Sequence, residues 1–225
     1  MLVRHMGPAV AVVAGALGLG CGNTPAPATP TPAAASAVPR ATAAPRGPGV
    51  TGTVLLSSSH GPPTSGGVVY LEDAPKQPGV AMSATVDVDH KVFSPLIAVI
   101  TTGGTVTFGN KDALTHHVFS PDVAQWDTGY LRKDETAVRR FESPGAIALL
   151  CNIHPEMLGY VLVIPSTYFG KLAVDGGYVI ASVPPGTYRA TAWAPRMPPV
   201  TQSVTIGQAG MTTANFELPP QGGTH

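Results

Sequence analysis

AIALLCNIHPEMLGYVLVI, residues 146–164, sets two short apolar runs on either side of a polar corner. AIALLC and GYVLVI have the length and the branched, apolar content of buried β-strands. Between them Cys151, His154 and Met157 stand three residues apart. Thiol, imidazole and thioether are among the softer ligands a chain can offer a metal. As unrelated residues they would instead finish a strand-turn-strand corner, with Cys as a small hydrophobe, Met as core filler and His on the surface. The rest of the chain bears on that choice.

Outward from this corner the pattern repeats. VTGTVLL, GGVVYLED, ATVDVDH, PLIAVITTG, GTVTFGN, HHVFS, AVRRFES, YVIASV, TYRATAWA, QSVTIG and ANFEL are rich in Val, Ile, Thr and Tyr and are bounded by Gly, Pro, Ser and Asp clusters. Each reads as a strand. No stretch carries a helical apolar stripe over three turns, and PDVAQWDTGYLRKDE (121–135) is the one place where a short helical turn is expected. The fold class is therefore all-β, built as sandwiches or barrels.

The ends of the chain read differently. Arg4 and His5 precede GPAVAVVAGALGLG, an apolar run too short to span a bilayer and placed as the core of an export signal. The run ends at Cys21, in ALGLGCGN, which resembles the cleavage and acylation site of a bacterial lipoprotein, with Gly18 where such sites usually carry Leu. Residues 1–21 are thus expected to be a signal peptide and Cys21 a lipid anchor. Residues 24–48, TPAPATPTPAAASAVPRATAAPRGP, lack apolar periodicity, so 22–49 is expected to be an extended, disordered tether. With 13 basic and 13 acidic side chains among 225 residues, nothing marks a nucleic-acid or anionic-membrane binder.

Cysteine arithmetic sharpens the corner. The chain has two cysteines, and a lipidated Cys21 would leave Cys151 without a disulfide partner in an oxidising compartment. Holding it as a metal thiolate removes its exposure to oxidation. A trigonal copper site with a weak axial thioether needs one more imidazole. NKDALTHH (110–117) supplies His116 and His117, and strand alternation buries one of these neighbours while exposing the other. The remaining histidines, His5, His60, His90 and His225, are isolated, so no second copper centre of the kind a copper oxidase needs is in view. No Ser/His/Asp elbow, phosphate loop or haem motif occurs.

FSP with its apolar strand, GGTVTFGN, NKDALTHHV and CNIHPEM together resemble a cupredoxin, closest to the amicyanin/plastocyanin branch. The resemblance covers about Ala84 to Ile164 and implies a Greek-key β-sandwich over 80–165. It also implies one type 1 copper, with His116, Cys151, His154 and Met157 as ligands. That family usually has Asn after the first ligand His; here the position is His117. Downstream, the run DGGYVIASVPPGTY (175–188) resembles a carboxypeptidase regulatory-like, or transthyretin-like, β-sandwich. Its usual opening strands match VTGTVLL and GGVVYLED, which implies a discontinuous module of 50–79 and 166–219, followed by a 220–225 tail; the alternative is two sequential domains, with these early strands belonging to the cupredoxin.

The expectation from these readings is a monomeric, non-enzymatic electron carrier, lipid-anchored on the periplasmic side or at the cell surface. It would exchange single electrons with redox proteins of cytochrome or dehydrogenase type and bind no nucleic acid. The alternatives are a copper-carrying or copper-sensing lipoprotein and a structural cell-surface module.

Overall fold

The computed structural model describes residues 47–59, 61, 63–75, 81–122 and 126–220. The export signal, Cys21, His60, residues 221–225 and all but the last residues of the 22–49 tether lie outside this range. The described residues form strands joined by turns, with no helix among them, and so none long and apolar enough to cross a membrane. The chain opens with Gly49–Leu56 (β1) and Val68–Leu71 (β2). There follow Ala84–Asp89 (β3), Val92–Ser94 (β4), Ile97–Thr101 (β5), Thr105–Asn110 (β6), Val118–Ser120 (β7) and Trp126–Asp127 (β8). Thr136–Arg140 (β9), Gly145–Cys151 (β10) and Leu158–Ile164 (β11) complete the middle of the chain. Phe169–Lys171 (β12), Gly177–Ala181 (β13), Gly186–Trp193 (β14), Val200–Ile206 (β15), Met211–Thr213 (β16) and Phe216–Leu218 (β17) end it.

These strands make four sheets separated by three apolar layers. β1 lies between β13 and the pair β16 and β17, and β12-β2-β14-β15 faces it across a core of Val50, Val69, Leu71, Ile180, Ala192 and Ile206. β5-β11-β10-β7-β8 faces β4-β3-β6-β9 across a second core that includes Val88, Phe93, Phe108, Leu149 and Val161. A third layer joins the two halves. Ile97, Val99, Tyr160, Leu162 and Ile164, on the back of the β5-β11 pair, pack against Val68 and Trp193 of the other half. Tyr160 and Trp193 meet edge to face with ring centroids 5.6 Å apart. β11 is therefore covered on both faces, which is why its sequence is an unbroken apolar run rather than an alternating one.

β1 and β2 pair with β13, β16, β17 and with β12, β14, all from the C-terminal part of the chain, so β3–β11 lie between two segments of one sandwich. The helical turn expected in 121–135 is not found among its described residues. Asp127 Oδ1 accepts from the Gly129 N–H, and Thr128 Oγ1 accepts from the Val118 N–H. These local side-chain bonds compete with a helical turn and close the short strand β8 at its C-terminal end.

Candidate metal centre

β10 and β11 form an antiparallel pair from Gly145↔Val163 to Leu150↔Leu158, so the corner between them projects from one end of the sheet. Cys151 closes β10, where it pairs with Val118 of β7, and is 4% exposed. The corner is tied by the Met157 N–H donating to the His154 carbonyl at 3.0 Å. Met157 is buried in the same core as Cys151, while His154 is half-buried between exposed Ile153 and Pro155.

The second histidine comes from the loop after β6. Asn110 is fully buried, and its Nδ2 donates to the carbonyls of Leu114 (2.7 Å) and Leu131 (2.9 Å). Its Oδ1 accepts from the Asp112 N–H, which shapes the NKD turn. His116 exchanges both backbone hydrogen bonds with Leu131 at 3.0 and 2.7 Å, and its ring is fully buried. That ring is held from behind by Asp112 Oδ2, 2.9 Å from Nε2.

Asp112 also accepts from the N–H groups of His90 and Lys91, each at 2.8 Å. Those two residues have φ of 51° and 59° and form the two-residue turn between β3 and β4. Both central positions of such a turn need positive φ, which non-glycine residues adopt at a cost. The two bonds to Asp112 offset that cost and lock the turn to the ligand loop. The Lys91 N–H, then the His116 ring and the His90 N–H, hold the Asp112 carboxyl below its ordinary range, against the opposing effect of desolvation.

The result is a triangle of donors. Cys151 Sγ lies 3.7 Å from His116 Nδ1 and 3.8 Å from His154 Nδ1, and the two Nδ1 atoms are 3.1 Å apart. The centre of such a triangle is about 2.1 Å from each corner, within the roughly 2.0–2.3 Å of metal–imidazole and metal–thiolate bonds. Two imidazole nitrogens and a sulfur facing one another have few protons to share, and a cation between them satisfies all three. These residues fit a metal ion, and they are the one His/Cys/Asp/Glu group of ligand geometry among the described residues.

The structure thus brings His116, Cys151 and His154 together and places Met157 in the adjoining core. His117 points away from them. Its carbonyl accepts from the Asn152 N–H at 3.0 Å, and its Nδ1 lies 3.3 Å from Asn152 Nδ2. The two ligand loops are therefore still tied at this position, with the amide supplied by Asn152. Asp112 and Asn110 were not marked as functional by the sequence, because their importance depends on contacts with the His90–Lys91 turn and with Leu131. The available signal was two polar residues spaced as a turn just before the histidines.

No family model matches the sequence, and no curated protein does. Solved structures give partial likenesses. A purple cupredoxin from Nitrosopumilus maritimus is 26% identical over 36% of this chain and 98% of its own, with a TM-score of 0.34. A copper-containing nitrite reductase from Thermus scotoductus is 26% identical over 40% of this chain and 25% of its own, with a TM-score of 0.35. A reduced amicyanin variant is 22% identical over 42% of this chain and 97% of its own, with a TM-score of 0.34.

Proposed function

We propose that this chain is an exported type 1 copper protein that carries single electrons between redox partners, with His116, Cys151, His154 and Met157 as ligands. The observation that carries this reading is the donor triangle, two imidazole Nδ1 atoms and one thiol sulfur with edges of 3.1 to 3.8 Å. Thiolate and thioether favour Cu(I), while imidazole and thiolate also hold Cu(II), so the bound ion supplies a one-electron couple within one ligand set.

The protein's part is to fix those ligands. Asp112 accepts the Nε2 proton of His116, which leaves the Nδ1 lone pair facing the centre. His116 and Cys151 are buried, and Cys151 shares its core with Leu149 and Val118, so little water reaches the sulfur. His154 is half-buried beside exposed Pro155 and half-buried Leu158, and its ring edge serves as the electron port.

In this reading residues 80–165 are a cupredoxin domain inserted into a carboxypeptidase regulatory-like sandwich of 50–79 and 166–219. The pairing of β1 with β13 and of β2 with β12 and β14 supports that division. Residues 1–21 are the export signal, Cys21 is the lipid anchor and 22–49 are the tether to a bacterial membrane. The monomer exchanges electrons with a donor and an acceptor protein of cytochrome or dehydrogenase type, and it performs no catalysis of its own.

The absorption spectrum of the copper(II)-loaded soluble fragment starting near Val50 tests the reading. An intense visible thiolate-to-copper band, lost on reduction and absent in Cys151→Ser, is expected. A copper-loaded protein without that band overturns the reading. His116→Ala should abolish the band and His117→Ala should keep it; the reverse result would move the first ligand to His117.

A further inference from the structure

We propose that the cleft at the open edge of the second core, floored by Trp126, Phe141 and Ile147 and bordered by Arg139, binds a small aromatic carboxylate. The site lies away from the donor triangle and does not rest on the copper reading. Ile147 and Cys151 face the same core from one strand, β10, four residues or about 13 Å apart.

The cleft exists because an inward position of β9 is given to a charge. β9 is an edge strand, paired with β6 alone among the described strands. Its Ala137 lies opposite Phe108 and its Arg139 opposite Val106, and both partners are fully buried. Residues opposite one another in a sheet point to the same face, so Arg139 takes a place where an apolar side chain would close the core. Ala137 and Phe141, two residues to either side, do pack there. What Arg139 leaves open is a cleft of about 210 Å³, lined by Trp126, Phe141 and Ile147 together with Arg139, Arg140 and Glu142. Trp126 is half-buried, tilted on Phe108 with ring centroids 5.1 Å apart and edge-on to Phe141 at 5.8 Å.

Charge and size select the occupant. Arg140 is paired with Glu142, the one carboxylate that lines the cleft. Arg139 has no acidic partner within ion-pair distance among the described residues. Two guanidinium groups against one carboxylate leave the mouth positive. Asp122 and Asp127, near Ile147 and Trp126, do not line the cleft, and their carboxylates accept from the N–H groups of Ala148 and Gly129, each at 2.8 Å. A guanidinium offers paired N–H donors that match a carboxylate. Trp126 and Phe141 offer their faces and edges to a flat ring. A volume below the roughly 300–1,000 Å³ of pockets for drug-sized ligands admits a single ring. An inward charge on an edge strand also deters another strand from adding there, but that role asks for neither a cleft nor an aromatic floor.

Benzoate titrated into the chain, metal-free and copper(I)-loaded, tests this by heteronuclear NMR of the indole N–H groups. The Trp126 N–H should shift and saturate with a dissociation constant of about 1 mM or below. The Trp193 N–H, buried in the third layer, should stay in place. Cyclohexanecarboxylate keeps the charge and should bind about two- to tenfold more weakly, the worth of the lost aromatic contact. Benzyl alcohol keeps the ring and should bind about tenfold more weakly or worse. Arg139→Gln should weaken benzoate about tenfold, and Glu142→Gln should tighten it by removing a like charge. No saturable shift at Trp126, an equal shift at Trp193, or weaker binding in Glu142→Gln overturns the proposal. Binding that Arg139→Gln leaves unchanged also overturns it, and leaves Arg139 as a guard of the β9 edge.

Discussion

Replacing Asp112 by Asn should raise the reduction potential and loosen the ligand loop at the same time. The carboxylate accepts from three donors: His90 N–H at Oδ1, and Lys91 N–H and His116 Nε2 at Oδ2. Asn offers one acceptor oxygen, so whichever way its amide sits, at least one N–H meets another donor. Losing one bond to a charged, mostly buried acceptor costs about 1.5–3 kcal/mol. The charge term is separable. Through the His116 ring, the carboxylate is about 7 Å from the centre of the donor triangle, taking a metal–imidazole bond as about 2 Å. One unit charge at that distance, with an effective dielectric of about 20, is worth about 2.4 kcal/mol, or on the order of 100 mV for one electron. The negative charge stabilises the higher-charged oxidised ion, so neutralising it raises the potential; the residual amide dipole keeps the rise to about 50–100 mV. Spectroelectrochemical titration of the copper protein reads the first effect, and denaturant unfolding of the metal-free protein reads the second. A potential that stays put or falls while the visible band is retained would refute the electrostatic role assigned to Asp112.

Met157→Gln should retain the visible band and lower the potential, because a harder axial donor favours the oxidised ion; voltammetry of the copper protein checks this, and loss of the band would place Met157 among the obligatory ligands. Gly159→Ala should cost about 1–3 kcal/mol by overpacking, since its Cβ would fall 2.9 Å from Cβ and Cδ2 of the buried Phe93 ring; thermal unfolding that matches the parent would show that Phe93 can move. Trp193→Ala should cost about 3–5 kcal/mol, as for any large buried aromatic, because Trp193 is 7% exposed against Tyr160. Its visible band should stay at the same wavelength, since the substitution lies on the far side of β11 from Cys151; a moved band would mean that the two halves are coupled at the metal.

What the sequence made legible follows from range. Runs such as ATVDVDH and TYRATAWA declare themselves through local alternation and β-branched content, and the structure forms strands there. The pieces that went unread, β4, β8, β12 and β16, are two or three residues long, and partners far along the chain decide their pairing. Within the site, Cys151, His154 and Met157 were legible because one short corner holds all three. Local alternation left the choice between His116 and His117 open, because it says only that neighbours diverge, and only the family resemblance pointed to His116. Leu131, fifteen residues beyond His116, fixes which of them turns inward, and no local pattern announces that bridge. The role of Asp112 was hidden for the same reason, since the turn it clamps lies on another hairpin.

The donors owe their positions to three separate restraints, and this bears on how the site would work. Cys151 is held by its pairing with Val118 of β7, at the end of a strand whose preceding residue, Leu150, pairs with Leu158 of β11. His116 is held by the Leu131 bridge at its backbone and by Asp112 at its ring. His154 is held by the corner that the Met157 N–H closes. Moving any one donor means breaking a different set of bonds, so the triangle resists adjustment as a whole rather than hinging about one weak point. β11 adds to this, being packed through Val161 and Val163 against the core that holds Phe93 on one side and against Trp193 on the other. A framework that stiff cannot give each oxidation state its own preferred geometry and must hold both in one compromise. For a ligand set that suits either state, the compromise keeps rearrangement small when an electron moves. For a protein that hands on the metal itself the same stiffness would be a hindrance, because release requires the donors to part. The restraints around His116 therefore favour electron carriage over copper delivery.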